Sequence, residues 1–376
     1  MDFELGPIRP PSEAYSILLR LTRNCPWNRC AFCHTYKGTK FSLRTVEEVR
    51  NDIDAIYHTA ACILRAAQKN SESTALTEEM LREVSDEEGI PHHLVRQVAF
   101  WISSGMESLF LQDADSLVMK TPGIVEILTY IRGKFPSIKR ITTYARAKTV
   151  SRKKPEELKQ IREAGLDRIH IGLESGSDTV LDLICKGVTG EEHVLAGTKA
   201  MDAGFELSEY FMPGIGGTDL SDENADRSAD VLNRINPTFI RLRSAVPIPG
   251  TPLHDLMLQE KWTPLSEEDK VKEIHRFISR LDGITSTVTS DHMMNLLEDL
   301  EGSLPEGRDR MLSRADDFLS MDEEDRESFI IGRRLGHFRY LSDYKRNPEI
   351  TALRVRLKKS YGSIDAAVLE ILSQFI

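Results

Sequence analysis

Three cysteines fall within one short stretch, Asn24-Cys25-Pro26-Trp27-Asn28-Arg29-Cys30-Ala31-Phe32-Cys33-His34, in a C-x4-C-x2-C spacing. Thiolates this close in sequence can converge on one metal centre, and their number bears on which one. A cubane [4Fe-4S] cluster takes four thiolates; this loop offers three, so a cluster held here would keep one iron open to another ligand. Zinc is the competing reading, because a structural zinc site closes with four ligands. His34 could supply the fourth, but its adjacency to Cys33 makes simultaneous ligation awkward. The other two cysteines, Cys62 and Cys185, lie in segments that read as helix and are expected to be ordinary buried thiols, since free cysteine packs as a small hydrophobe. No disulfide framework is expected, because no secretory signal precedes them.

The loop follows an apolar strand candidate, Tyr15 to Thr22, and carries the turn formers Pro26 and Asn28. A barrel enzyme keeps its chemistry in such strand-to-helix loops. The next helix should begin near Thr45, where Thr45-Val46-Glu47-Glu48 matches a capping box. From about 61 to 106 an insertion breaks the rhythm, with expected helix starts at Thr77 and Ser85, a turn from Gly89 to Pro91 and an amphipathic run through Trp101. Strands are then expected at Ser108 to Gln112, Arg140 to Ala145, Arg168 to Leu173, Glu206 to Met212 and Phe239 to Val246, alternating with helical stretches as parallel strands with crossover helices do. Six strands close about three quarters of an eight-stranded barrel. The fold class expected is therefore α/β, a partial (β/α)6 TIM-like barrel with a helical insertion and a helical C-terminal domain. Its parts are an extension over 1–13, the barrel over 14–255 and helices over 256–376.

Side chains alternate between the two faces of a strand, so where Ile and Leu meet the outer helices the intervening residues should line the interior. That places Arg20, Thr22, Tyr144, Arg146, His170, Glu174, Arg241 and Arg243 inward. Barrel interiors are ordinarily filled by Val, Ile and Leu, and a buried arginine is costly unless an anion balances it. Glu174, Asp113, or a carboxylate on a ligand or substrate could do so; an internal salt bridge at a strand end is the plainer alternative. Further along, Ser290-Asp291-His292-Met293-Met294-Asn295 is expected to set His292 and Asn295 on one helix face, within a largely helical stretch over 264–331.

The cysteine loop, with Phe32 just before Cys33, resembles the signature of the radical S-adenosylmethionine (SAM) superfamily, although one extra residue separates Cys25 from Cys30. The resemblance extends over roughly 14–255 through Leu111-Gln-Asp-Ala-Asp115, Tyr144-Ala-Arg-Ala147, Ile169-His-Ile-Gly-Leu-Glu-Ser-Gly176, Tyr210-Phe-Met-Pro-Gly214 and Val246-Pro-Ile-Pro-Gly-Thr-Pro252. It looks most like the branch with methylthiotransferases and oxygen-independent coproporphyrinogen dehydrogenases. It implies a [4Fe-4S] cluster on Cys25, Cys30 and Cys33, with SAM on the open iron, reductively cleaved to a 5′-deoxyadenosyl radical that abstracts hydrogen from a substrate. Flavodoxin or ferredoxin would be the reductant. The implied cofactor-binding residues are Phe32, Asp113, Tyr144, Arg146, Glu174, Ser175, Glu209 and Arg243, with Glu174 on the SAM ammonium and Arg146 or Arg243 on its carboxylate. His170, Arg241 and His292 would face an unidentified substrate, and an anionic one would suit the arginine.

Without cysteines for auxiliary clusters, one-cluster chemistry is expected: oxidation, rearrangement, or methyl transfer with a second SAM. A non-catalytic iron-sulfur regulator that senses SAM or oxygen, or a tRNA-modifying enzyme, are the alternatives. A net charge of -10 over 376 residues gives no general attraction to nucleic acid or anionic membranes, so nucleic acid is not the expected partner. With no membrane-length apolar run and no leader, the expected location is the cytoplasm. One local exception is the tail over 332–362, where nine Arg and Lys face only Asp343 and Glu349. It could dock an acidic electron carrier, touch RNA phosphates, or be a solvated helical face.

Overall fold

The computed structural model describes residues 2–69 and 76–373, so residues 70–75 of the expected insertion lie outside the described residues. Among the described residues ten strands form, β1 (Ile17–Arg20), β2 (Thr22–Arg23), β3 (Ser42–Leu43), β4 (Ser108–Gln112), β5 (Arg140–Ala145), β6 (Arg168–Glu174), β7 (Glu206–Phe211), β8 (Phe239–Leu242), β9 (Thr287–Thr289) and β10 (Gly302–Ser303). Eight share a sheet in the order β1-β4-β5-β6-β7-β8-β9-β10, and β2 and β3 pair as a separate ribbon. The pairs β1–β4, β4–β5, β7–β8 and β8–β9 are parallel, whereas β10 runs antiparallel to β9. The fold class is the expected α/β one, and the main sheet has eight strands where the sequence pattern predicts six. The described chain divides into two compact units, one of 1–26, 38–170 and 202–205 and one of 27–37, 171–201 and 206–376.

In the first unit the capping box at Thr45 forms as read: Glu48 N–H donates to Thr45 Oγ1 at 3.1 Å and Thr45 N–H to a Glu48 carboxylate oxygen at 2.7 Å. It starts α1 (Val46–Lys69). The helices α2 (Glu78–Glu88) and α3 (His92–Ser103) follow. Thr77 caps α2 through its hydroxyl, but Ser85 starts no helix. It lies within α2, and its hydroxyl donates to Ile90 O where the chain turns. The core of this unit is apolar side chains such as Ile53, Ile56, Val98, Trp101, Phe110 and Ile131, all essentially inaccessible.

In the second unit the C-terminal stretch is less uniformly helical than expected. The helices 267–280, 308–319, 323–334 and 348–361 are present, but β9 and β10 interrupt them. These strands span only three and two residues, too short for a period-two pattern to register. The tail is also less basic than its composition suggests. Arg333 and Arg339 pair with Glu298, Arg334 with Glu267, Arg346 with Asp325, and Arg354 and Lys358 with Glu327. No helix among the described residues is long and apolar enough to cross a membrane.

Candidate cluster and cofactor site

In the second unit, residues 27–37 of the cysteine loop are held at three points. Trp27 Nε1 donates to the carbonyl of Cys185 at 2.7 Å, Ala31 N–H to Ile184 O at 2.8 Å, and Leu253 N–H to Ala31 O at 3.0 Å. Gly187, at φ +70°, makes the first contact possible, because a Cβ there would stand 2.2 Å from the Trp27 ring. Trp27 thus occupies the lengthened part of the C-x4-C spacing as an anchor. Ala31 joins a buried cluster with Val180, Ile184, Met212, Ile215, Ala245, Leu253 and Trp262, and Phe32 packs against it. Cys25, Cys30 and Cys33 are part-buried and in no disulfide, and Cys33 N–H donates to Cys30 O.

Cys185 is not the buried helical thiol expected. It is exposed and sits at φ +52° just past a short helix, and it is its backbone, not its sulfur, that meets the loop. Cys62 is buried as expected.

Beside the loop, Lys186 Nζ donates to Glu174 Oε1 at 2.8 Å, with both side chains nearly covered, and lies 5.9 Å from the Phe32 ring centroid. Glu174 ends β6 at φ +61°, a conformation rare for non-glycine residues and frequent at functional sites. Ser175 is buried, its hydroxyl accepting from Ser177 N–H. Gly172 leaves room for the ion pair: a Cβ there would lie 2.2 Å from Glu174 Oε1 and 2.9 Å from Lys186 Nζ.

Glu209 on β7 is fully buried, and neither carboxylate oxygen has a hydrogen-bond partner. Burial pushes its pKa well above the ordinary range; the Lys186 ammonium opposes that rise and the Glu174 carboxylate adds to it. Two carboxylates thus share one cation around an unsatisfied acceptor. Such a set suits a ligand that brings an ammonium of its own. Lys186 escaped the sequence reading because its place depends on the turn after residues 178–183, although its distance of twelve residues from Glu174 could have flagged it. Gly172→Ala is expected to displace the pair and destabilise the chain by about 1–3 kcal/mol in denaturant unfolding. Gly133→Ala, in a helix with open space at its Cβ, should instead stabilise by about 0.5–1 kcal/mol.

The arginines divide. Arg241 is buried; its Nε donates to Ser208 Oγ at 3.0 Å and its Nη1 to Asp291 Oδ2 at 2.8 Å. By strand alternation Glu209 lies on the opposite face from Ser208 and Arg241, so Arg241 and Glu209 do not share a site. Arg243 is exposed and follows the end of β8 instead of facing inward from within it.

His292 and Asn295 lie in turns, not on a helix face. Asn295 is a brace: its Oδ1 accepts from Ser244 N–H and its Nδ2 donates to Leu242 O and Ser290 Oγ. The contacts to Ser244 and Leu242 hold 290–297 against the end of β8, which a continuous helix would forbid. His292 Nδ1 accepts from Met294 N–H. Burial, and then the Arg243 charge, push its pKa down to about 4, so the ring is neutral near pH 7. A depressed histidine stabilises the fold above the ordinary value of 6.5 and loses that contribution as pH falls towards 4. His292→Gln should therefore flatten the dependence of unfolding free energy on pH in that window.

In the first unit Arg20 Nε donates to Asp113 Oδ2 at 2.6 Å, and Asp113, inaccessible, sits at φ +70° just past β4. The internal salt bridge was thus the right alternative for Arg20. His170 is inaccessible and meets the part-buried Tyr144 ring edge-on at 5.7 Å. Arg146 is part-buried beside Asp115, an inaccessible carboxyl that burial pushes up to about 6 and that the sequence reading had not singled out.

Residues 68–229 match the profile of the Radical SAM superfamily, a match that begins beyond the cysteine loop. Among curated proteins the chain is similar to a tRNA uridine(34) acetyltransferase of Methanocaldococcus jannaschii, 23% identical over 120 residues that make up 32% of this chain and 22% of that protein. It is also similar to an uncharacterized methyltransferase of Pyrococcus horikoshii, 26% identical over 127 residues, 32% of this chain and 27% of that one. The chain thus spans about a quarter of the length of these relatives. Solved structures with a similar fold include the radical SAM methyltransferase TsrM of Kitasatospora setae, with cobalamin and a [4Fe-4S] cluster bound (TM-score 0.44, 13% identity, 65% of this chain and 37% of that chain). Another is the coproporphyrinogen III oxidase of Escherichia coli (TM-score 0.44, 13% identity, 71% and 52%).

Proposed function

We propose, for a chain that carries a radical SAM domain over residues 68–229, that Cys25, Cys30 and Cys33 hold a [4Fe-4S] cluster and that Glu174, Lys186 and Glu209 receive the amino-acid end of SAM. The observation that carries this reading is Glu209, a buried carboxylate with no partner, beside an ion pair that already matches one acid to one base. An arriving ammonium would satisfy Glu209, and Lys186 could then turn towards the carboxylate that accompanies it. The residues fit the cluster as well: three cysteines in one loop, none in a disulfide, anchored through Trp27 and Ala31. When bound and reduced, such a cluster supplies the electron that cleaves SAM to methionine and a 5′-deoxyadenosyl radical.

What this chain's own residues contribute is placement. Phe32 and its apolar cluster keep water from the loop's inner side, and the neutral His292 offers a ring that carries no charge near pH 7. His170 and His292 are assigned to the substrate, whereas Arg241, held by Ser208 and Asp291 on the other face of the sheet from Glu209, is left out of the substrate contacts. We assign the cofactor contacts Phe32, Asp113, Tyr144, Arg146, Ser175 and Arg243 on the same reading. Oxidation, rearrangement and methyl transfer all remain consistent with one cluster, and the electron would come from flavodoxin or ferredoxin. The test is anaerobic reconstitution followed by dithionite and SAM. Formation of 5′-deoxyadenosine is expected; a loaded cluster that binds SAM yet releases none would favour a regulatory protein instead.

A tRNA substrate is the second reading, supported by the name of the Methanocaldococcus relative. The pairing of Arg333, Arg334, Arg339, Arg346, Arg354 and Lys358 with acidic neighbours argues that the tail would not be the RNA surface. Removing 332–376 should therefore leave any tRNA binding in place.

A further inference from the structure

Away from the cysteine loop, α1 and α2 bring together three side chains of different donor type. His58 and Cys62 are one turn apart on α1 and share a face. Glu88 is the last residue of α2. His58 Nε2 lies 3.0 Å from Glu88 Oε2 and 3.5 Å from Cys62 Sγ, and one donor atom from each residue lies within 4.8 Å of the others.

These separations are close to the edges of a zinc tetrahedron. With Zn–S of about 2.3 Å and Zn–N and Zn–O of about 2.0–2.1 Å, tetrahedral angles put nitrogen about 3.5 Å from sulfur and about 3.3 Å from oxygen. The donor set of imidazole, thiolate and carboxylate is one that zinc accepts. Charge favours a cation as well. Asp86, Glu87 and Glu88 close α2 at the end where the helix dipole disfavours acids, and His58 is the group that meets Glu88 there. Arg65 Nη2, 3.2 Å from Cys62 Sγ, is placed as an outer donor to a thiolate ligand. His58 and Glu88 are each about one-third exposed, which leaves an approach for the metal and for a water as fourth ligand.

We propose that His58, Cys62 and Glu88 bind one zinc ion that ties α2 to α1 within the helical insertion. The site is independent of the cluster chemistry, and the sequence hides it because Glu88 stands twenty-six positions after Cys62. The test uses the iron-loaded protein, so that the cysteine loop is already filled. It is titrated with zinc, desalted and analysed for both metals, and its zinc-edge X-ray absorption is recorded. One zinc per chain is expected, with a single sulfur in its shell. His58→Ala, Cys62→Ser and Glu88→Gln should each weaken zinc binding by at least about tenfold, with iron content and 5′-deoxyadenosine formation unchanged. Zinc should also raise the melting temperature of the parent protein and not that of Cys62→Ser, whose near-isosteric side chain guards against misfolding. No retained zinc, zinc that persists undiminished in Cys62→Ser, or a shell with two or more sulfurs would overturn the proposal.

Discussion

Replacing any one of Cys25, Cys30 and Cys33 by serine is expected to lower 5′-deoxyadenosine formation by more than about a hundredfold, past the upper end of what losing a mere outer-shell partner of a metal costs. Iron content and the visible absorption of the cluster should fall with it. The contrast lies in the other two cysteines. Cys185 touches the loop through its carbonyl, which accepts from Trp27, and Cys62 belongs to the helical insertion, so Cys185→Ser and Cys62→Ser should keep iron and activity. Iron analysis and product chromatography on the five variants measure both halves. If Cys185→Ser lost iron as fully as Cys30→Ser, the cluster would have a fourth protein ligand and no vacancy for SAM.

Lys186→Met is expected to have the second large effect. It leaves Glu174 and Glu209 buried without the cation beside them, and removing one partner of a buried pair typically costs about 3–5 kcal/mol. Denaturant unfolding should show that loss, and SAM binding by calorimetry should weaken with it. Glu209→Gln should separate the two quantities. A carboxyl whose folded pKa is raised stabilises the fold fully below its ordinary value of 4.5 and loses that contribution as pH climbs towards the raised value. Glutamine has no such loss, so near pH 7 the variant should be more stable than the parent while binding SAM less tightly. A variant both less stable and unchanged in SAM binding would make Glu209 a packing residue.

The cysteine loop and the parallel strands could be read from local pattern because each is written in a contiguous stretch. Three thiols in one loop need no tertiary information, and β4 and β5 run over the expected residues. The capping box at Thr45 and the turn at Gly89 were visible for the same reason. The readings that failed depended on partners far away in sequence. Asn295 looked helical at its spacing from His292, yet its amide is committed to Leu242 at the end of β8 and to Ser244 just past it. Cys185 read as a helical thiol, but the helix of 178–183 ends before it. Composition made the tail look like a basic patch, although acids on the helices over 267–280 and 323–334 and at Glu298 neutralise most of it. Among the arginines expected to face inward, sequence offered Asp113, which answers Arg20, but not Asp291, which answers Arg241 from fifty positions away. Lys186 was missed because only the folded turn sets it over Gly172.

The most direct single measurement is electron paramagnetic resonance of the anaerobically reconstituted, reduced protein, recorded before and after SAM is added, on a sample of known iron and zinc content. A cubane with one corner lacking a protein ligand should give about four irons per chain and a signal that changes when SAM binds. Zinc in place of iron at the cysteine loop, or a cluster signal indifferent to SAM, would contradict it.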